Sequence, residues 1–224
     1  MIAGLDEAGR GPVLGPMIIS GVLFRPETLK ELKTTGIKDS KLLSPAKRSS
    51  LAELILEKAE KFKIIEFSPA QIDKLRLVKK VKLNQIEAAA FARIINYLKP
   101  AEAYIDSADV KPERFASDIR QHLRVKTKLI VEHYADRKYL QVSTASILAK
   151  VRRDQRIEEL KKRYGNLGSG YSSDPRTIQF LEQWVKKHGK LPKFARKSWK
   201  TSRRIQSRIL QKKLDWGSRC RPAH

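Results

Sequence analysis

A single cysteine, Cys220, stands in 224 residues, so no intrachain disulfide can brace the fold, and a reducing compartment is expected. Histidine is nearly as scarce. His122, His133, His188 and His224 are scattered singly, without the spacing of a zinc site. No apolar run approaches the roughly 18–20 residues that cross a bilayer. The longest, around Met17-Ile18-Ile19 and Val22-Leu23-Phe24, are short and broken at Gly21. No basic segment followed by an apolar stretch opens the chain, so no secretory signal is expected. The expectation is a soluble, cytoplasmic protein with no membrane association. Acids are few as well: 24 Asp+Glu face 48 Lys+Arg, a formal net charge of +24 at pH 7. Such an excess is more than solubility needs and repels itself in the compact state. It points to a polyanionic partner, nucleic acid first. An anionic membrane is the alternative, but no Trp-rich basic amphipathic helix stands apart from the fold. Hydrophobic residues make up 41%, enough for a sizeable core, and the length suits one domain with an appendage or two small ones.

No internal repeat and no low-complexity tract interrupts an alternation of strand and helix signals. Met1-Ile2-Ala3-Gly4-Leu5 reads as a buried strand, Met17 to Phe24 as a second and Lys63 to Phe67 as a third. Ser44-Pro45 and Ser68-Pro69 are helix starts, each an N-cap acceptor followed by proline at the first helical position. Leu83 to Leu98 carries Leu83, Ile86, Ala90, Ile94 and Tyr97 at helical spacing. Brief buried strands follow at Ala103-Tyr104-Ile105 and Leu129-Ile130-Val131, then a helix from Ser143 to Tyr164. The pattern predicts an α/β fold, helices packed on a mixed sheet.

The acids that are present fall at informative places. Asp6 and Glu7 follow the first strand, Asp106 ends the Tyr104-Ile105 strand, and Asp136 follows Ile130-Val131. Ligands of open α/β sheets collect at the carboxyl ends of strands, so these acids would form an all-oxygen site suited to Mg2+ or Mn2+ rather than zinc. Consecutive strand residues point to opposite faces. Asp6 and Glu7 can share a ligand only if the strand stops between them, and Gly9 and Gly11 around Arg10 offer such a stop. Acids beside a Gly-Arg-Gly turn suggest a metal next to a phosphodiester. A surface loop, a helix cap or pairing with the many lysines is the alternative for each acid.

With its motifs in order, the chain resembles the type 2 ribonucleases H, most closely ribonuclease HII of archaeal type. The blocks are Asp6-Glu7-Ala8-Gly9-Arg10-Gly11-Pro12, Lys38-Asp39-Ser40-Lys41, Leu83-Asn84 with Glu87, and Tyr104-Ile105-Asp106-Ser107. Ala135-Asp136 with Lys138-Tyr139, Ser146 to Val151, Gly168 to Tyr171 with Ser173-Asp174-Pro175, and Arg196 with Ser198 to Thr201 complete them. The resemblance implies a ribonuclease H-like fold and hydrolysis of RNA in RNA–DNA hybrids, or at ribonucleotides embedded in duplex DNA. Asp6, Glu7, Asp106 and Asp136 match the family's catalytic and metal-holding acids. Two divalent ions, Mg2+ or Mn2+, would support in-line displacement leaving 5′-phosphate and 3′-hydroxyl. Gly9, Arg10 and Gly11 match the turn that reads the ribonucleotide, and Tyr171 matches the tyrosine at the ribose–deoxyribose junction. A half-buried loop aromatic is the alternative for Tyr171. Lys41, then Lys150 and Arg196, are candidate phosphate contacts; a lone lysine in a basic protein is commonly just solvated. Leu140 stands where relatives often have proline.

From Asp174-Pro175 onward the chain turns basic. Ile178, Leu181, Trp184 and Val185 predict a helix ending near Gly189, and Ile205, Ile209 and Leu210 predict another with a ragged end. The expected organisation is a catalytic domain over 1–174 and a basic helical extension over 175–224. That extension would either hold duplex backbone or fray. A monomer is expected, with RNA–DNA hybrid and ribonucleotide-containing duplex as partners and a sliding-clamp-like protein as a further one.

Overall fold

The computed structural model describes residues 1–37 and 44–219. Its centre is a five-stranded mixed sheet in the order β3-β2-β1-β4-β5, built from β1 (Ile2–Ala8), β2 (Met17–Phe24), β3 (Lys61–Phe67), β4 (Glu102–Asp106) and β5 (Lys128–Glu132). β1 pairs antiparallel with β2, placing Gly4 opposite Val22 and Asp6 opposite Ser20. It pairs parallel with β4, and β4 with β5. Three parallel strands thus end at one edge of the sheet, the geometry the carboxylate pattern requires.

The helices are α1 (Pro26–Leu32), α2 (Pro45–Lys58), α3 (Pro69–Asp73), α4 (Leu83–Leu98), α5 (Pro112–Arg120), α6 (Ala135–Lys138), α7 (Leu140–Tyr164), α8 (Pro175–His188) and α9 (Lys200–Arg219). Their starts follow local chemistry. The Ser44 hydroxyl accepts from the Lys47 N–H at the head of α2. Ser68 and Gln71 form a reciprocal capping box on α3. Asp174 caps α8, which ends at Gly189 in the left-handed region (φ 67°). α1 and α5 are additions to the expected elements. Both are short, both open on proline, and α5 is held by packing on α4 and β5.

Compactness divides the chain into two units: Met1–Arg10, Met17–Glu66 and Val81–Asp154 form the first, and Gly11–Pro16, Phe67–Lys80 and Gln155–His224 the second. The units therefore part at other places than after Asp174. In the first, Val22 and Phe24 of β2 join Leu29, Leu51, Ile55, Leu140, Ala145 and Leu148 in one apolar cluster on a face of the sheet. α4 packs on the opposite face, against β1 and β2, with Phe91 edge-on to Phe115 of α5. Leu140, at the position where relatives often have proline, begins α7 and is buried in the first cluster. In the second unit Val13, Leu14, Ile157, Leu167, Leu181, Val185, Leu191, Ala195, Ile205 and Ile209 make a separate core.

Candidate active site

β1 alternates its side chains across the sheet, and this decides where the acids go. Gly4 lies against the start of α7. Two residues on, Asp6 shares that face, buried to 5% exposure. The Ser146 hydroxyl of α7 donates to its carboxylate, and Lys150 Nζ donates to Ser146 Oγ at 2.7 Å. The Glu7 N–H donates to Asp6 Oδ1 at 2.7 Å. Asp106, at the end of β4, accepts from the Ala135 N–H at 3.0 Å. That bond ties the end of β4 to α6, the helix that carries Asp136. Ser143 of α7 donates in turn to the Asp136 carbonyl.

Asp6, Asp106 and Asp136 converge: one carboxylate oxygen from each lies within 4.8 Å of the others. Glu7 does not join this trio. β1 runs in regular register through Glu7 to Ala8, so the expected strand stop between the two acids is corrected. Pairing with β2 holds the strand regular, yet the Glu7 carboxyl stays close enough to Asp6 and Asp106 for both to push it up. Its Oε2 is buried and makes no hydrogen bond.

The residues present fit a hard divalent cation. Every donor is a carboxylate oxygen, and Lys150 offsets only part of the cost of gathering these acids, since Asp6 stays pushed up. Burial pushes the Asp6 carboxyl up to about 7, with Asp106 adding to the effect. Burial, then Asp6, pushes Glu7 up to about 8. Such acids bind protons more tightly folded than unfolded. Their contribution to stability is therefore fully present below the ordinary carboxylate range and is lost as pH rises through about 7 to 8. A cation would replace those protons. The expected result is that Mg2+ raises the melting temperature more at pH 8.5 than at pH 6, measured by thermal melts with Mg2+ or with chelator. An equal increment at both pH values would count against these acids as ligands.

Gly9 takes the left-handed region (φ 78°), which only glycine adopts freely. Arg10 does not project freely from the turn. Its guanidinium forms an ion pair with Glu87 and donates to Asn84 Oδ1 at 2.6 Å. Gly11 belongs to the second unit, where its carbonyl accepts from Trp199 Nε1 at 3.0 Å. A methyl group on Gly11 would sit 3.8 Å from Tyr171 Cε1, so this pair is in near contact, with the tyrosine 39% exposed. The segment after Gly11 is laced down: the Val13 and Leu14 N–H groups donate to the Gly170 carbonyl. Arg196 donates to the Gly15 carbonyl and stacks on Trp199. Arg196 is fully buried, so its candidacy as a phosphate contact is corrected: it braces a loop. Asp73 accepts from the N–H groups of Lys197 and Ser198. Lys41 lies outside the described residues.

Ser146, Asn84, Glu87, Asp73 and Trp199 are the residues that sequence reasoning left without a role. Their signal was membership of the ordered motif blocks, Asp73 excepted.

Three convergent carboxylates at the carboxyl edge of a mixed sheet, with a glycine turn next in sequence, define a metal-dependent phosphodiester hydrolase. Comparison with known proteins agrees. The family model for Ribonuclease HII matches residues 3–202. Ribonuclease HII of Thermococcus sibiricus is 47% identical over 214 residues, covering 95% of this chain and 94% of that protein. Among solved structures, the ribonuclease H2 of Pyrococcus horikoshii OT3 superposes with a TM-score of 0.88 at 42% identity, covering 94% of this chain and 99% of that one. Ribonuclease HII of Archaeoglobus fulgidus, solved in a complex with PCNA, gives 0.82 at 40% identity, covering 92% and 96%. This chain belongs to the ribonuclease HII family and is a metal-dependent endoribonuclease. Among the described residues no helix is long and apolar enough to cross a membrane.

Proposed function

We propose that the enzyme cuts at ribonucleotides in RNA–DNA hybrids and embedded in duplex DNA, using Asp6, Glu7, Asp106 and Asp136 to hold two divalent ions, Mg2+ or Mn2+. The convergence of Asp6, Asp106 and Asp136 is the observation that carries this reading. Ions bound there supply activation of water and stabilisation of the departing 3′ oxygen in an in-line displacement. The protein's part is to fix the carboxylates in advance: Ser146 orients Asp6, and the Ala135 N–H orients Asp106. Gly9, Arg10 and Gly11 offer backbone to the 2′-hydroxyl, the group that separates RNA from DNA, and Tyr171 packs on the neighbouring sugar. The net charge of +24 holds the duplex through its phosphates. Both the cluster and the Gly11–Tyr171 pair are built from one chain, and we infer a working monomer. The clamp-bound relative from Archaeoglobus fulgidus supports a sliding-clamp partner for this chain too. The basic residues beyond Pro175 act as an extension of the catalytic part.

A duplex carrying one ribonucleotide, incubated with and without Mg2+, tests the reading: metal-dependent cleavage at that nucleotide is expected, and an uncut duplex would sink it. Gly11→Ala sharpens the test. Gly11 is not in the left-handed region and the new methyl meets only an ordinary contact, so the variant should melt like wild type yet cut slowly, because the methyl crowds the sugar's approach. Tyr171→Phe should lose about tenfold or less, one hydrogen bond being worth roughly 0.5–1.5 kcal/mol. Tyr171→Ala should lose more. Equal rates for wild type and Tyr171→Ala would leave Tyr171 a loop aromatic.

A further inference from the structure

Arg10 is the one charged side chain of the Gly9–Gly11 turn, and in a protein that binds polyanions a phosphate is its obvious partner. The structure gives it protein partners. One guanidinium nitrogen pairs with Glu87 Oε2 and the other donates to Asn84 Oδ1 at 2.6 Å. Glu87 lies on the sheet-facing side of α4 and is fully buried; its Oε1 is also buried and makes no hydrogen bond. A buried carboxylate is costly unless a cation pairs with it, and Arg10 is the cation that pairs with it here. Asn84 works in both directions. It accepts from Arg10 and donates to Asp109 Oδ2 at 2.5 Å. Asp109, itself buried, accepts from the Lys111 N–H at 2.9 Å and from both Nε and a terminal nitrogen of Arg114. The Asp109 N–H and carbonyl close a short loop on the Ser107 hydroxyl, immediately after Asp106. A continuous polar chain therefore runs from the turn, across the first residues of α4, to the loop that follows a metal-site carboxylate.

We propose that Asn84 and Glu87 are positioning residues for ribonucleotide recognition: they hold Arg10 as a strut that fixes the backbone of the turn beginning at Gly9. Through Asp109 the same network fixes the loop after Asp106, so the ribose-reading turn and the metal cluster keep one geometry. This rests on the reading that the turn contacts the 2′-hydroxyl. It gives a role to the Leu83-Asn84…Glu87 block, and it makes the Arg10 side chain a support rather than a phosphate contact.

The test measures binding to two duplexes, identical except for one ribonucleotide, with chelator present so that no bond is cut. Wild type should prefer the ribonucleotide-containing duplex. Glu87→Gln keeps the shape but loses the ion pair, and should bring that preference close to one while its affinity for all-DNA duplex stays within about twofold of wild type. In single-turnover cleavage with Mg2+ the same variant should slow about tenfold or more. Asn84→Ala, at a half-buried position where folding is safer, should show the same loss of preference. Because the strut acts as a unit, combining Arg10→Ala with Glu87→Gln should be no worse than either change alone. Two results overturn the proposal: wild-type preference retained in both Glu87→Gln and Asn84→Ala, or Arg10→Ala weakening all-DNA binding and lowering the salt slope by about one, the signature of a lost phosphate contact. If wild type itself shows no preference, the reading of the turn fails and the proposal falls with it, a result distinct from the other two.

Discussion

Asp6→Asn should abolish cleavage while leaving the folded protein and its grip on duplex largely intact. The amide is nearly the same size as the carboxylate, and its oxygen can still accept from the Ser146 hydroxyl and the Glu7 N–H. It lacks the negative charge a bound dication needs, and no lysine or arginine is lost, so the electrostatic part of duplex affinity stays. A fall of at least about 10³-fold in rate is expected, which at about 1.36 kcal/mol per tenfold is roughly 4 kcal/mol of barrier. Asp106→Asn should behave alike, since its amide oxygen can keep the bond from the Ala135 N–H. Asp136→Asn should be severely impaired too. A second readout separates metal loss from damage to the fold. Burial makes the ionised Asp6 costly in the metal-free protein, so removing the charge should leave the metal-free melting temperature unchanged or higher at pH 8. The rise that Mg2+ produces in wild type should shrink or vanish. Cleavage near the wild-type rate in either Asp6→Asn or Asp106→Asn would sink the metal site as described.

Much of this site was legible because strand-end acids keep their positions whatever the details of packing. Asp6, Asp106 and Asp136 could be assigned to one sheet edge from the apolar runs that precede them. What the sequence hid was decided by partners far along the chain. β1 continues to Ala8 because β2 supplies pairing out to Ile18, and nothing local to Asp6-Glu7 announces that. Arg10 reads in isolation only as a member of the turn that faces the ribonucleotide. Only the placement of α4, 74 residues away from it for Asn84, turns it inward. Arg196 misled for the same reason: a guanidinium in a basic segment looks solvated until the Gly15 carbonyl and the Trp199 ring are in place around it. α1 and α5 escaped because each is a short helix whose apolar positions gain their meaning from the sheet beneath.

Glycine makes the same point most sharply, because Gly4 and Gly11 look interchangeable in the sequence, yet only at Gly4 should alanine lower the melting temperature. A Cβ on Gly4 would lie 1.9 Å from the Gln141 carbonyl oxygen, 2.0 Å from its carbon and 2.5 Å from the Val142 nitrogen. All three are backbone atoms at the start of α7, so no rotamer change can make room. Nor can β1 step aside, since Gly4 is paired with Val22 on one side and Tyr104 on the other. The helix would have to lift by about an ångström or more, carrying Ser143 and Ser146, the residues that hold Asp136 and Asp6. Overpacking of this kind typically costs about 1–3 kcal/mol and occasionally more, and backbone against backbone belongs at the top of that range. At roughly 2–4 °C per kcal/mol for a chain of this size, about 3 kcal/mol gives a fall in melting temperature on the order of 6–12 °C for Gly4→Ala. Whatever protein remains folded should cut more slowly, because the carboxylates it holds have moved apart. Gly11→Ala, slow to cut but melting as wild type, is the matched control. A Gly4→Ala protein that melts within a degree or two of wild type would show that β1 and α7 do not approach as closely as the geometry of Gly4 and Gln141 requires.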